Sequence, residues 1–153
     1  MTSARCVALL LSFGFLGVGQ DAKDKPDEKR RVKVEFRKAE TKPADGLTEA
    51  KAQGREEKIY LHKKAELTNE DIAEARPAEA AGAPALEIIF TKEGSKKIAA
   101  LTEGHLEKPL AILADGKVIA APIVRAKVSE RAVIVGKFTQ EEIDRFVKGI
   151  NGK

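Results

Sequence analysis

The sequence predicts an α+β fold: a mainly antiparallel sheet with about three helices packed on it. Three observations carry this. Short runs show period two: Val32–Arg37 alternates apolar with polar residues, and in Leu86–Phe90 the apolar Leu86, Ile88 and Phe90 alternate with Glu87 and Ile89, one face fully buried and the other partly so. Pro109–Val124, PLAILADGKVIAAPIV, sets two apolar runs on either side of an Asp-Gly pair. Such a pair is a strong hairpin signal, because a type I′ turn needs positive φ, which Gly takes freely and Asp tolerates. Apolar residues recur at helical spacing after Thr91 and after Thr139, each a residue that can cap a helix N-terminus.

The elements follow in order. Val32, Val34 and Phe36 alternate with Lys33, Glu35 and Arg37 as a half-buried strand. Thr41–Glu56 carries Pro43, Gly46, Gly54 and many charges, the composition of a loop. Lys58–His62 is a short strand. Leu67–Ala75 is expected as a short helix: Thr68 caps it, Asp71 stands three residues on, and Leu67 and Ile72 flank the start. Pro77 ends that helix, and Ala78–Ala83 forms a loop. Leu86–Phe90 is a strand. A helix runs from Thr91 to about Leu106, with Ile98, Leu101 and His105 on one stripe and Gly94 weakening its first turn. The hairpin of Pro109–Val124 comes next and stops at Pro122. Ala132–Val135 is a further strand. The last helix has Thr139 as N-cap, Glu142 three residues later, and Phe138 with Ile143 as a hydrophobic staple. Its apolar stripe is Ile143, Phe146, Val147 and Ile150, and Gly149 and Gly152 finish it.

Composition bounds the rest. The 153 residues favour one domain; 34% are charged and 42% hydrophobic. There is no Trp and one Tyr, so the core is aliphatic, with six Phe as its bulky members. The net charge of +4 is spread among mixed signs. Lys29-Arg30-Arg31 and Lys96-Lys97 are too short for a basic stripe, which argues against a nucleic-acid partner. Met1–Gly19 has the form of an export signal: Arg5, an apolar run Cys6–Leu16, and Gly17 and Gly19 before a cleavage point. Taken on to Val18, the apolar run from Cys6 is about 20 Å long as a helix against roughly 30 Å of hydrocarbon, which favours cleavage over an uncleaved anchor. Nothing else in the sequence approaches a membrane span, so contact with a membrane is expected only through the signal. Gln20–Arg31 is a charged, disordered spacer, and residues 32–150 form the domain. Cleavage removes Cys6, the single cysteine, and leaves no thiol chemistry.

Candidate chemistry is sparse. His62 and His105 are the two histidines and have no metal-ligand spacing, so no metal or other cofactor is expected. The pairs Glu56-Glu57, Glu70-Asp71 and Glu141-Glu142 are adjacent, and two of them are accounted for as charges at helix starts. Ser95 and Ser129 lack a nucleophile-elbow setting. The sequence therefore predicts a protein without enzymatic activity. A small hydrolase would need a cleft lined by buried carboxylates. What remains is binding: sheet edges accept extended peptides.

The order of motifs resembles a known family. Lys58–His62, Leu67–Ile72, Leu86–Phe90, Glu93-Gly94, Leu101-Thr102, Leu110–Pro122 and Gly136–Thr139 follow one another as in the head subdomain of the first periplasmic loop of SecD, the accessory subunit of the bacterial Sec translocase. The most specific part is A-I-x-x-D-G-x-V-x-x-x-P over Ala111–Pro122. The resemblance implies an exported domain, on the periplasmic or extracellular side, that binds unfolded or secretory polypeptide and works beside Sec components. The expectation is a freestanding head module without the transmembrane motor; the alternative is an envelope interaction module that keeps the fold alone. Asp115, Gly116, Val118 and Pro122 are the signature hairpin residues, with a turn-forming role and a candidate role in partner contact.

Overall fold

Strands dominate where aliphatic residues alternate with polar ones. The computed structural model describes residues 31–152, and among these there are nine strands and two α-helices. Residues 1–30, which hold the expected signal and nearly all of the spacer, lie outside the described residues.

Strand β1 (Val34–Glu40) is the hub of the larger sheet. Along one edge it pairs with β7 (Leu110–Ala114), from Val34 opposite Ala114 to Lys38 opposite Leu110. Two short strands share its other edge: β3 (Lys58–Leu61) beside Ala39 and Glu40, and β4 (Leu67–Thr68) beside Glu35 and Phe36. β2 (Thr48–Lys51) lies outside β3, and β8 (Lys117–Ala120) outside β7, giving the order β2-β3-β1-β7-β8. The second sheet is β5 (Ile72–Ala80), β6 (Ala83–Phe90) and β9 (Arg131–Val135), with β6 in the middle. All pairings are antiparallel.

β7 is buried along its whole length because both faces are covered. Leu110, Ile112 and Ala114 join the main core with Phe36, Ile88, Ile98, Phe146 and their neighbours. Ala111 and Leu113 face a second, smaller cluster with Ala39, Ile59, Leu61, Val118 and Ala121. Helix α1 (Lys92–Glu103) turns Ile98 and Leu101 into the main core, and α2 (Gln140–Asn151) turns Ile143, Phe146 and Ile150 there. Both helices start at the expected caps. Thr91 Oγ1 accepts from the Gly94 N–H at 3.0 Å, and Thr139 and Glu142 form a reciprocal capping box.

The fold class is as predicted, but two α-helices stand where about three were expected, and four local expectations are corrected. The segment expected as a helix over Leu67–Ala75 makes a single 3-10 turn at Asn69–Asp71 and then becomes β5. Its start signal is genuine, since the Thr68 N–H donates to Asp71 Oδ2 at 3.0 Å. The helix stops because Ile72–Ala80 pairs with β6 as a hairpin, and that tertiary pairing overrides the helical propensity of the alanines. Pro77 is compatible with the strand. It stands opposite Leu86 at a position whose N–H would face the free edge of β5. The Ala78–Ala83 loop thus shrinks to a turn at Ala81 and Gly82, both at positive φ. The stretch expected as loop over Thr41–Glu56 contains β2. The helix after Thr91 ends at Glu103 and not at Leu106; Gly104 caps it.

Two glycines have specific causes. Gly116 has φ +81° at the hairpin tip. Gly94, expected only to weaken a helix start, lets α1 approach the 3-10 turn so closely that a Cβ would overlap the Asp71 carbonyl.

Candidate functional site

The signature hairpin is where the sequence places it. β7 and β8 are joined by Asp115 (φ +50°) and Gly116 (φ +81°), the two positive values that a type I′ turn requires. Asp115 also ties the turn to the start of β1. Its N–H donates to the Lys33 carbonyl at 2.9 Å, and its Oδ1 accepts the Lys33 N–H at 3.0 Å. The side chain takes the bond that its own carbonyl, rotated away by the turn, would have accepted. Val118 is buried in the smaller cluster. Pro122 is half-buried, and its carbonyl accepts the Leu110 N–H at 2.9 Å.

β2 and β8 are the outer strands of the larger sheet, and they come together at one point: the Gln53 N–H donates to the Val118 carbonyl at 3.0 Å. The phase of the ladder shows what lies beside that bond. The His62 N–H donates to Lys38, so residues 60 and 62 bond to β1 while Ile59 and Leu61 bond to β2. In β2, Thr48 and Ala50 therefore face β3, and the backbone groups of Glu49 and Lys51 face away from it. Across the gap, the Val118 N–H points outward from β7 by the same alternation. Among the described residues no backbone bond joins Lys51 to Val118. From Gln53 toward the hairpin tip the two edges splay.

The splay opens a groove of about 870 Å³. One wall is Thr48–Lys51, the other Asp115–Ile119, and Glu142, Arg145 and Phe146 of α2 close one side. Leu61 and Leu113 contribute apolar floor. Of the four signature residues, Asp115, Gly116 and Val118 line this groove; Pro122 lines a separate hollow of about 310 Å³ with Ala52, Arg55 and Val135.

The acids of the groove are committed to nearby donors. Glu49 pairs with Lys58 Nζ at 2.9 Å, which holds the Lys58 amine above its usual range. The Thr139 N–H and the Gln53 amide hold the Glu142 carboxyl below the usual carboxylate range. Arg37 is committed to Glu35, with Nη2 at 2.6 Å. Lys51 and Lys117 form no ion pair among the described residues, and the Arg145 guanidinium lies over the Phe146 ring, 5.1 Å from its centre.

The other titratable side chains singled out in the sequence do not converge. His105 is buried, and its Nε2 lies 3.0 Å from the Pro109 carbonyl and 3.2 Å from that of Ala39. His62 Nε2 stands 3.6 Å from Glu40 Oε1. Burial pushes the Glu40 carboxyl up, but Lys108 and His62 outweigh it and hold it below the ordinary range. The buried acids Glu35 and Asp71 are each neutralised locally, by Lys33 with Arg37 and by Lys97. Among the described residues no three His, Cys, Asp or Glu side chains are grouped to hold a metal ion.

Sequence reasoning missed β2, Gln53 and Arg145 as parts of a site. The signal in β2 is faint: Ala50 is the only apolar residue of Thr48–Lys51. Glycines at 46 and 54 bracket the strand, and they were the one available cue.

Comparison with known proteins agrees with this fold. The family model described as SecDF, P1 head subdomain, matches residues 45–150. A SecD translocase subunit of Rhodobacter capsulatus is 38% identical over 78 residues, half of this chain and 14% of that protein. SecD of Aquifex aeolicus is 41% identical over 61 residues, 40% of this chain and 12% of that protein. Thus the chain spans about an eighth of the length of these relatives. A crystal structure of SecDF in a super-membrane-facing form superposes with a TM-score of 0.65 at 26% identity, over 81% of this chain and 19% of the other. A structure of SecDF, a membrane component that enhances protein export, superposes with a TM-score of 0.64 at 25% identity, over 81% of this chain and 64% of the other.

Proposed function

The chain belongs to the SecDF P1 head subdomain family, and on that premise we propose that it is an extracytoplasmic, non-enzymatic domain that binds extended polypeptide in the β2/β8 groove and serves protein export. The observation that carries this is the pair of splayed strand edges. The backbone groups of Glu49 and Lys51 and the N–H of Val118 face a groove with an apolar floor, and an extended chain can pair with such edges in any sequence. Main-chain pairing with few side-chain demands suits a domain that meets many different secretory chains. No helix among the described residues is long and apolar enough to cross a membrane. Delivery across the membrane is assigned to Met1–Gly19, outside the described residues. The expected working partners are secretory polypeptides and Sec components, and Asp115, Gly116 and Val118 border the contact.

The test is photo-crosslinking in cells from single positions on the two walls, Lys51 and Lys117, with Lys127, which pairs with Glu103 at the end of α1 and does not line the groove, as control. Adducts with secretory precursors from the wall positions, and none from Lys127, are expected. Adducts confined to one unrelated envelope component would refute a role in export. The mass of the mature N-terminus checks cleavage after Gly19.

A further inference from the structure

The groove carries a charge asymmetry that main-chain pairing does not use. Every acidic side chain that lines it already has a donor: Glu49 has Lys58, Glu142 has Gln53 and Thr139, and Asp115 has the Lys33 N–H. Of the four cations in the lining, only Arg37 has a carboxylate. Lys51 stands on one wall, Lys117 on the other and Arg145 on the helix side. None of the three has an ion-pair partner among the described residues.

We propose that the groove selects segments in which acidic residues alternate with apolar ones, so that Lys51, Lys117 and Arg145 pair with the bound chain. This rests on the groove being the polypeptide site. The geometry of an extended chain supports it: successive side chains point to opposite faces. Apolar side chains at every second position reach the floor formed by Leu61 and Leu113, and the intervening side chains rise to the level of the wall amines. A carboxylate there meets three cations without an ion-pair partner; an ammonium meets the same three, offset in part by Asp115 and Glu142, whose donors are uncharged and of which Glu142 also feels Arg145. The open backbone edges favour a polypeptide over a lipid headgroup or a nucleic-acid phosphate, neither of which pairs with a strand.

The experiment is an anisotropy titration of the whole protein with three labelled peptides of about nine residues. They share a Val/Thr scaffold and carry Glu, Gln or Lys at the alternate positions. With two or three exposed pairs formed, the Glu peptide is expected to bind about five- to tenfold more tightly than the Gln peptide at low salt, and the Lys peptide most weakly. The Glu–Gln difference closes at about 0.3 M salt, where screening is strong. Lys51→Glu with Lys117→Glu inverts the order, and Lys127→Glu, away from the groove, leaves it unchanged. Equal binding of all three peptides overturns the charge selection and leaves groove binding standing. No binding of any peptide, the Gln peptide included, removes the groove itself as a polypeptide site. Unchanged preference in the double variant would place the acidic ligand elsewhere, and displacement of the Glu peptide by phosphatidylglycerol vesicles would assign the cations to a membrane surface; either result overturns the proposal.

Discussion

Asp115 gives the sharpest test of how the hairpin is held. Its carboxylate does two things that can be separated. It makes positive φ tolerable at +50°, and it accepts the Lys33 N–H at 3.0 Å. Asp115→Ala loses both. The lost hydrogen bond is worth about 1 kcal/mol, and placing Ala in the left-handed region adds about 1 kcal/mol. The sum, about 2 kcal/mol, corresponds to a Tm lower by roughly 6–8 °C for a domain of this size. Asp115→Asn keeps an acceptor oxygen in the same place and keeps the tolerance for positive φ, so it costs about 0.5 kcal/mol or less. Urea unfolding followed by far-UV circular dichroism measures both, with the m-value checking that the unfolded state is unchanged. If Asn destabilises as much as Ala, the negative charge and not the acceptor geometry holds the turn, and the account of Asp115 is wrong. If Ala is silent, the tie to Lys33 contributes nothing.

Gly116→Val is expected to destabilise by about 1–2 kcal/mol, because φ of +81° is strained for a β-branched residue although the space around it is open; the same urea assay reads it. Gly94→Ala should cost about 2 kcal/mol or more despite Ala's higher helix propensity, since its Cβ meets the Asp71 backbone; a more stable variant would refute that packing. The Lys33 hydrogen bond, opposed by burial and joined by Arg37, holds the Glu35 carboxyl below its usual range. A depressed folded pKa contributes stability above the unfolded value, and that stability is lost as pH falls through the folded one. Unfolding midpoints should therefore drop below about pH 4, and Glu35→Gln should lower stability at neutral pH and flatten the acid limb; an unchanged acid limb would remove Glu35 from the account.

Legibility followed how local each signal was. The β7–β8 hairpin, the caps at Thr91 and Thr139 and the apolar stripe of α2 are decided by residues within four positions of one another, and each stands where the pattern puts it. Thr68 and Asp71 form the expected local bonds too, yet the element they begin is decided by β6, whose paired residues in sequence lie as far as Phe90. Ala73, Ala75 and Ala78 favour a helix by intrinsic propensity, so the local pattern points away from the strand that pairing imposes. The groove was less legible still. Val118 and Asp115 could be singled out from the hairpin, but the opposite wall is β2, whose only apolar residue is Ala50 and which depends on β3 for its register. Arg145 reaches the same place from the far end of the chain. A site assembled from three sequence-distant elements has no spacing to read.

The free lysines also explain how the chain can keep an open strand edge. Unpaired edges invite pairing between copies, and a charge on the edge is a common guard against it. Lys51 stands on the outer edge of β2 and Lys117 at the start of β8, so two copies meeting edge to edge would bring these like charges together, and Glu49, the acid beside Lys51, is already paired with Lys58. Repulsion of that kind between two copies would be attraction for a strand bearing carboxylates. One pair of side chains thus sets both what the edge refuses and what it admits. On this account Lys51→Ala with Lys117→Ala should weaken acidic-peptide binding and, at high protein concentration, increase self-association measured by sedimentation velocity. A double variant that loses peptide binding and stays monomeric would separate the two roles and refute the link between them.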